Sequence, residues 1–187
     1  MILNTIQTRR SVFPKNYNEV PVARETIEQL LEAANAAPSH KRTEPWRFTV
    51  FYGEGRVKLA DFLSDFYKES TEAALFSEFK YKKMQENALK SSAVIAIVQH
   101  TSGLVPEIEE TCAVACAVEN MWLAAHALGV GAYWSTGGPT FHQATRDFLS
   151  LAANEKCLGF FYIGNHDLPE QTAIRGDIAE KTVWVLG

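Results

Sequence analysis

Ala93-Val94-Ile95-Ala96-Ile97-Val98-Gln99, together with the run from Glu107 to Leu128, decides the fold. The first stretch is an unbroken apolar segment of strand length, the pattern of a strand buried on both faces. The second is the longest helical pattern in the chain, with acidic residues in its first turn that suit the positive end of a helix dipole. Its apolar residues include Val114, Ala115, Val118, Met121, Trp122, Leu123, Ala125 and Leu128, spread over much of the circumference. A helix apolar nearly all round is normally buried on all sides. Something must cover its outer face: either the chain itself, or a copy of the same helix related by two-fold symmetry. Ala113, Ala117, Ala124 and Ala125 would let such a copy approach closely.

Outward from this pair, Ile2, Leu3 and Ile6 suggest a short first helix ending near Thr8. A clear helix runs from Arg24 to Ala36, with Ile27, Leu30, Leu31 and Ala34 on one face, and Pro38 stops it. Arg47 to Tyr52 reads as a strand, and Val57 to Phe66 repeats at helical spacing. Residues Thr71 to Leu89 mix aromatics with charges and read as a helical surface flap or lid. Ala132 to Ser135, Cys157 to Ile163 and Thr182 to Leu186 read as strands, and Phe141 to Leu149 as a helix. The sum is an α+β fold with about four or five strands packed by helices. No repeat, low-complexity tract or linker divides residues 1–187, so one domain is expected.

The bulk numbers narrow the function. A net charge of -4 gives no basic excess for nucleic acid. Residues 1–10 are too short and polar for a secretory signal, and the apolar stretch 112–134 is interrupted by Glu119, Asn120 and His126, so no membrane span is expected. Three cysteines form no paired framework and fit a reducing, cytoplasmic compartment. Cys112 and Cys116, one helical turn apart, read as two small core residues.

Several chemistries lack their motifs. No phosphate-binding P-loop occurs, and no His/Cys/carboxylate cluster points to a metal. Gly129-Val130-Gly131 opens like a dinucleotide fingerprint, but Trp134 stands at the third glycine and the segment ends a helix rather than opening one. Ser135 lacks the frame of a hydrolase nucleophile because Tyr133 replaces the first glycine.

Three segments carry usable polar chemistry. In Thr8-Arg9-Arg10-Ser11, adjacent arginines would point to different sides of an extended chain, one gripping a phosphate and the other facing a carbonyl or developing anion. Solvated surface arginines are the plainer reading. Pro38 and Pro45 bracket a polar rim containing Ser39, His40, Lys41 and Arg42, where His40 either meets a ligand or faces water, and Trp46 reads as core. In Trp134-Ser135-Thr136-Gly137-Gly138, the glycines allow a flat ligand to approach backbone amides, with Trp134 as a wall and Ser135 and Thr136 as donors; a plain strand and turn is the alternative.

The order of these segments, with Ala37-Pro38-Ser39-His40, Glu44-Pro45-Trp46-Arg47-Phe48 and Gly159-Phe160-Phe161-Tyr162-Ile163-Gly164, resembles the nitroreductase family over nearly the whole chain, and its short members most closely. The resemblance implies a central, mostly antiparallel sheet flanked by helices, an intertwined homodimer and one FMN at each interface site. It implies that Arg9, Arg10 and Ser11 bind the phosphate, ribityl and pyrimidine side of FMN. It also implies that His40 reaches the flavin from the partner subunit and that Trp134, Ser135 and Thr136 contact it from the first. Arg175 stands near a second phosphate-binding cation of the family. The implied activity is hydride transfer from NADH or NADPH to a small electron-poor acceptor, a nitroaromatic or a quinone. Flavin carries that chemistry, so no side chain need serve as acid, base or nucleophile. A non-catalytic FMN-binding or storage protein, a dehalogenase and a flavin-consuming enzyme are the alternative readings on this fold.

Overall fold

The structure is a computed structural model that describes residues 2–187; Met1 lies outside them. In chain order the elements are α1 (Ile2–Thr8), α2 (Arg24–Asn35), β1 (Trp46–Tyr52), α3 (Gly55–Ser70), α4 (Glu78–Lys90) and β2 (Ala93–His100). They continue with α5 (Glu107–Ala127), β3 (Gly131–Ser135), α6 (Gln143–Phe148) and β4 (Glu155–Gly164). The four strands form one antiparallel sheet in the order β1-β2-β4-β3.

β2 explains the layering. Ala93, Ile95 and Ile97 point into one core, with Ile27, Leu30 and Ala34 of α2 and Val114, Ala117, Val118 and Met121 of α5. Val94 and Ala96 point into the other, with Leu59, Ala60 and Leu63 of α3 and Ala88 of α4. Side chains alternate across a strand, so a continuous apolar run feeds two cores at once. Each fully buried Leu, Ile or Phe contributes about 1.5–3 kcal/mol. Trp46 is buried, as its sequence position suggests, and its indole N–H donates to Asn35 Oδ1 at 3.0 Å.

Residues 71–89 do not form one helix: a 3-10 turn at Ala73–Leu75 precedes α4, and the Ser77 hydroxyl caps α4 by accepting from Lys80 N. α4 packs along α3 through Ala88 and Met84. Thr182 to Leu186, expected as a strand, is not one. It follows a 3-10 turn at Ala179–Lys181 and leaves Val183, Trp184, Val185 and Leu186 between 81% and 93% exposed. Its β-forming side chains meet no neighbouring strand to pair with, and a strand is stable only within a sheet.

Cys112 and Cys116 also depart from expectation. Both are exposed, while Cys157 is buried and its thiol is pushed up to about 11 by that burial. The two exposed thiols belong to a stripe of α5 that turns away from the sheet: Ile108, Cys112, Ala115, Cys116 and Glu119 are all exposed. The spacing of three or four residues places them on one face.

β3 forms one edge of the sheet, and Gly159 sets how closely it approaches β4. Gly159 has φ +131°, and a Cβ there would lie 2.5 Å from both Ser135 O and Trp134 Nε1. A side chain would combine backbone strain with a steric clash. Gly159→Ala should therefore lower stability by roughly 2–4 kcal/mol. The expected readout is a lower urea midpoint with an unchanged slope; a loss under about 0.5 kcal/mol would show that β3 has room to move.

Candidate anion and cofactor site

The chain leaves α1 at Thr8 and runs along the free edge of β3, where Val12 N–H donates to Ala132 O at 3.0 Å. The same carbonyl accepts from Trp122 Nε1 at 3.1 Å, which fastens α5 to this edge. A Cβ on Gly131 would lie 2.7 Å from the His166 ring and 2.9 Å from Val12, so the absence of a side chain lets three segments meet here.

The adjacent arginines do diverge. Arg9 turns inward, its guanidinium carbon 4.4 Å from the Trp122 ring centre. Its Nε lies 3.2 Å from Glu119 Oε1 but not in hydrogen-bonding alignment, and Nε and Nη1 are both buried without a hydrogen-bond partner. Arg10 folds back over the end of α1, donating to Arg9 O and to Gln7 O, where carbonyls lack helical partners. Its pKa is lowered by partial burial, then by the charge of Arg175, then by that of Arg9. Arg175 thus stands within electrostatic reach of the pair. It is carried there by the segment after β4, whose Ala173 N–H bonds back to Gln7 O. Ser11 is exposed beside this cluster.

Three guanidiniums share one corner with two carboxylates, Glu119 beside Arg9 and Glu170 within range of His126. A buried cation left without hydrogen-bond acceptors is costly. An anion with several oxygens, such as a phosphate, satisfies Nε and Nη1 together and offsets the mutual repulsion.

The other predicted residues are distributed differently. His40 starts a 3-10 turn, is exposed, and pairs through Nδ1 with Glu109 Oε2. With Pro38, Ser39, Ile108, Cys112 and Cys116 it lines an open groove of about 490 Å³. Lys41, Arg42 and Glu44 all have positive φ, a cluster of backbone strain for residues with side chains. Glu109 and Glu119 are ten residues apart, so His40 and Arg9 sit about 15 Å apart along α5. Trp134 and Ser135 face opposite ways. Trp134 joins the α5 core and donates its indole N–H to Leu158 O at 3.1 Å. Ser135 lines a small cavity with Leu63, Met84 and Asn87 of the α3–α4 layer. Thr136 is exposed just beyond β3.

Sequence reasoning overlooked the parts that Trp122 and His126 play at this corner, and gave Thr8 no role of its own within the Thr8–Ser11 cluster. Trp122 was visible only as one apolar residue among many on the helix, and nothing local showed that Arg9 would stack on it. No group of three His, Cys, Asp or Glu among the described residues can hold a metal ion. No helix among them is long and apolar enough to cross a membrane.

The model of the nitroreductase family matches residues 6–165. The chain belongs to that family. YdjA of Escherichia coli (strain K12), provisionally named an NAD(P)H nitroreductase, is 30% identical over 163 residues, which is 86% of each chain. The crystal structure of a nitroreductase-like family protein from Bacillus cereus superposes with a TM-score of 0.85 at 26% identity, covering 100% of this chain and 97% of the other. A provisionally named nitroreductase from Desulfovibrio desulfuricans, solved in complex with FMN, superposes with a TM-score of 0.73 at 26% identity, covering 99% and 96%.

The unpartnered atoms of Arg9 make a prediction that needs no cofactor. Inorganic phosphate should raise the melting temperature of the ligand-free chain, because it binds the folded state alone. Arg9→Leu should abolish that rise. The substitution itself should change ligand-free stability by less than about 1 kcal/mol, since the desolvation cost it removes offsets the lost stacking. Equal stabilisation of both proteins by phosphate would place the anion elsewhere.

Proposed function

We propose that this nitroreductase-family chain is an FMN-dependent oxidoreductase that passes hydride from NADH or NADPH to a small electron-poor acceptor, a nitroaromatic or a quinone. The carrying observation is Arg9, ion-paired with Glu119 but with Nε and Nη1 shielded and free of hydrogen bonds, within electrostatic reach of Arg10 and Arg175. FMN ends in a phosphate, and a phosphate fits that donor set. The D. desulfuricans relative, solved with FMN, supports the same cofactor.

FMN, held by these residues, would supply the hydride chemistry between the nicotinamide and the acceptor. The chain's own residues have simpler tasks. Arg9 binds the phosphate, with Arg10 and Arg175 adding charge around it, and Ser11 offers a hydroxyl toward the ribityl and pyrimidine side. Trp134, its indole N–H already committed, serves as a wall and not as a donor. Ser135 and Thr136 approach at the end of β3, where Gly137 and Gly138 leave the backbone accessible. His40 acts from the partner subunit.

That last role requires a homodimer, and two features favour one. The α5 stripe from Ile108 to Glu119 and the tail Val183–Leu186 leave apolar surface in water that a second copy would cover. A two-fold axis crossing α5 near Val114, midway between Glu109 and Glu119, would bring the partner's His40 opposite this chain's Arg9. We take residues 1–187 as one FMN-binding domain working in the cytoplasm, where three unpaired thiols stay reduced.

The purified protein should be yellow, and chromatography of the flavin released by denaturation should give FMN. Anaerobic mixing with NADH or NADPH should bleach that colour, and steady-state kinetics with a nitroaromatic or quinone should give parallel double-reciprocal lines, because one open flavin face serves both substrates in turn. A bound FAD would overturn the cofactor assignment. Bound FMN that neither nucleotide bleaches would favour a storage protein, and intersecting lines would overturn the shared face.

A further inference from the structure

His126 lies in the last turn of α5 and is not used by the reading above. Its Nε2 is 2.7 Å from Thr8 Oγ1, across the contact between α5 and the end of α1. Thr8 Oγ1 also donates to Asn4 O at 2.9 Å, which commits its single proton. Thr8 must therefore accept from His126, so Nε2 carries a hydrogen whether the ring is neutral or charged. The bond holds Thr8, and Arg9 follows Thr8 directly in the chain. Protonation at Nδ1 would add a charge to the cluster without breaking the bond that holds it.

The groups facing this ring come from two elements. Arg9 and Arg10 follow α1, and His166 and Glu170 follow β4. Burial lowers the His126 pKa; Glu170 opposes this, while Arg9, Arg10 and His166 add to it. In the ligand-free chain the ring is thus biased toward neutrality by burial and by the cations a phosphate would neutralise.

Building on the FMN reading, we propose that His126 is a positioning residue of the phosphate cradle that takes up a proton when the flavin phosphate binds, making FMN affinity rise as pH falls. The sign follows from linkage. A phosphate among Arg9, Arg10 and Arg175 favours the imidazolium, so the ring has a higher pKa in the holoprotein than in the flavin-free protein. The added affinity is absent above the holoprotein pKa, grows as pH falls through it, and levels off below the flavin-free pKa.

The test compares the wild type with His126→Gln, whose Nε2 amide N–H matches the ring Nε2–H and can still donate to Thr8 but cannot take a charge. Holoprotein is diluted at a series of pH values, and the fluorescence of released FMN gives the Kd. Ionisation of free FMN phosphate is common to both proteins and cancels in the ratio of their Kd values. The ratio of variant to wild type should be near one at about pH 8 and rise to about tenfold at about pH 5.5. In parallel, NMR titration of the His126 ring in wild-type protein should give a higher pKa with FMN bound than without. A ratio independent of pH, or equal ring pKa values in the two states, would overturn the proposal even if FMN binds normally. Failure of the wild type to bind FMN would instead overturn the cofactor reading. Should the variant not fold, the wild-type NMR comparison alone decides.

Discussion

A helix of 21 residues, apolar around most of its circumference, gains most when its apolar faces are covered, and this chain covers α5 on part of its surface. One face packs on the sheet and on α2 through Val114, Ala117, Val118 and Met121. A second holds Arg9 over Trp122. The third, from Ile108 to Glu119, stays open. The sheet order, the path of the first ten residues and the place of the candidate site all follow from how these three faces are used. The two-sided burial of β2 fixes the layers, and the open stripe leaves one face of α5 in water.

The electrostatics at the Arg9 corner follow from the packing. Trp122 Nε1 and Val12 N both bind Ala132 O, so the edge of β3, the start of the chain and α5 lock together. Arg9 stacks on Trp122 beside Glu119, with Nε and Nη1 shielded from water and without hydrogen bonds. A fold selected for stability alone has little reason to bury a guanidinium with two unmet donors. Arg10 and Arg175 add like charge within electrostatic reach, a cost that a bound anion would offset.

Much of this was legible in the sequence. The apolar run at 93–99 and the helix from Glu107 reported their own structure because their patterns are long and unbroken. Arg9 and Arg10 stood out by position, just past a helix end. The errors fell where tertiary context decides. Thr182–Leu186 has strand composition, but a strand needs an edge to pair with, and composition cannot say whether one is present. Cys112 and Cys116 looked like core because their neighbours are apolar, yet helical phase places them on the stripe that turns away from the sheet. Adjacent residues of β3 also part company: alternation sends the Trp134 and Ser135 side chains to opposite faces of the sheet, which leaves their joint use at a ligand untouched. Trp122 and His126 were hidden because each acts on a residue more than a hundred positions away.

In the proposed holoprotein one FMN would be held by the Arg9 corner of one subunit and the His40 loop of another. Co-expression of an Arg9→Leu chain with a His40→Glu chain tests it most directly, with differently tagged copies so that mixed dimers can be isolated. In a mixed dimer, one interface site carries both lesions and the other is intact. Dimers of either variant alone should be colourless, while the mixed dimer should carry one FMN per two chains. A mixed dimer that stays empty, or a His40→Glu protein that loads fully by itself, would contradict a site shared between subunits.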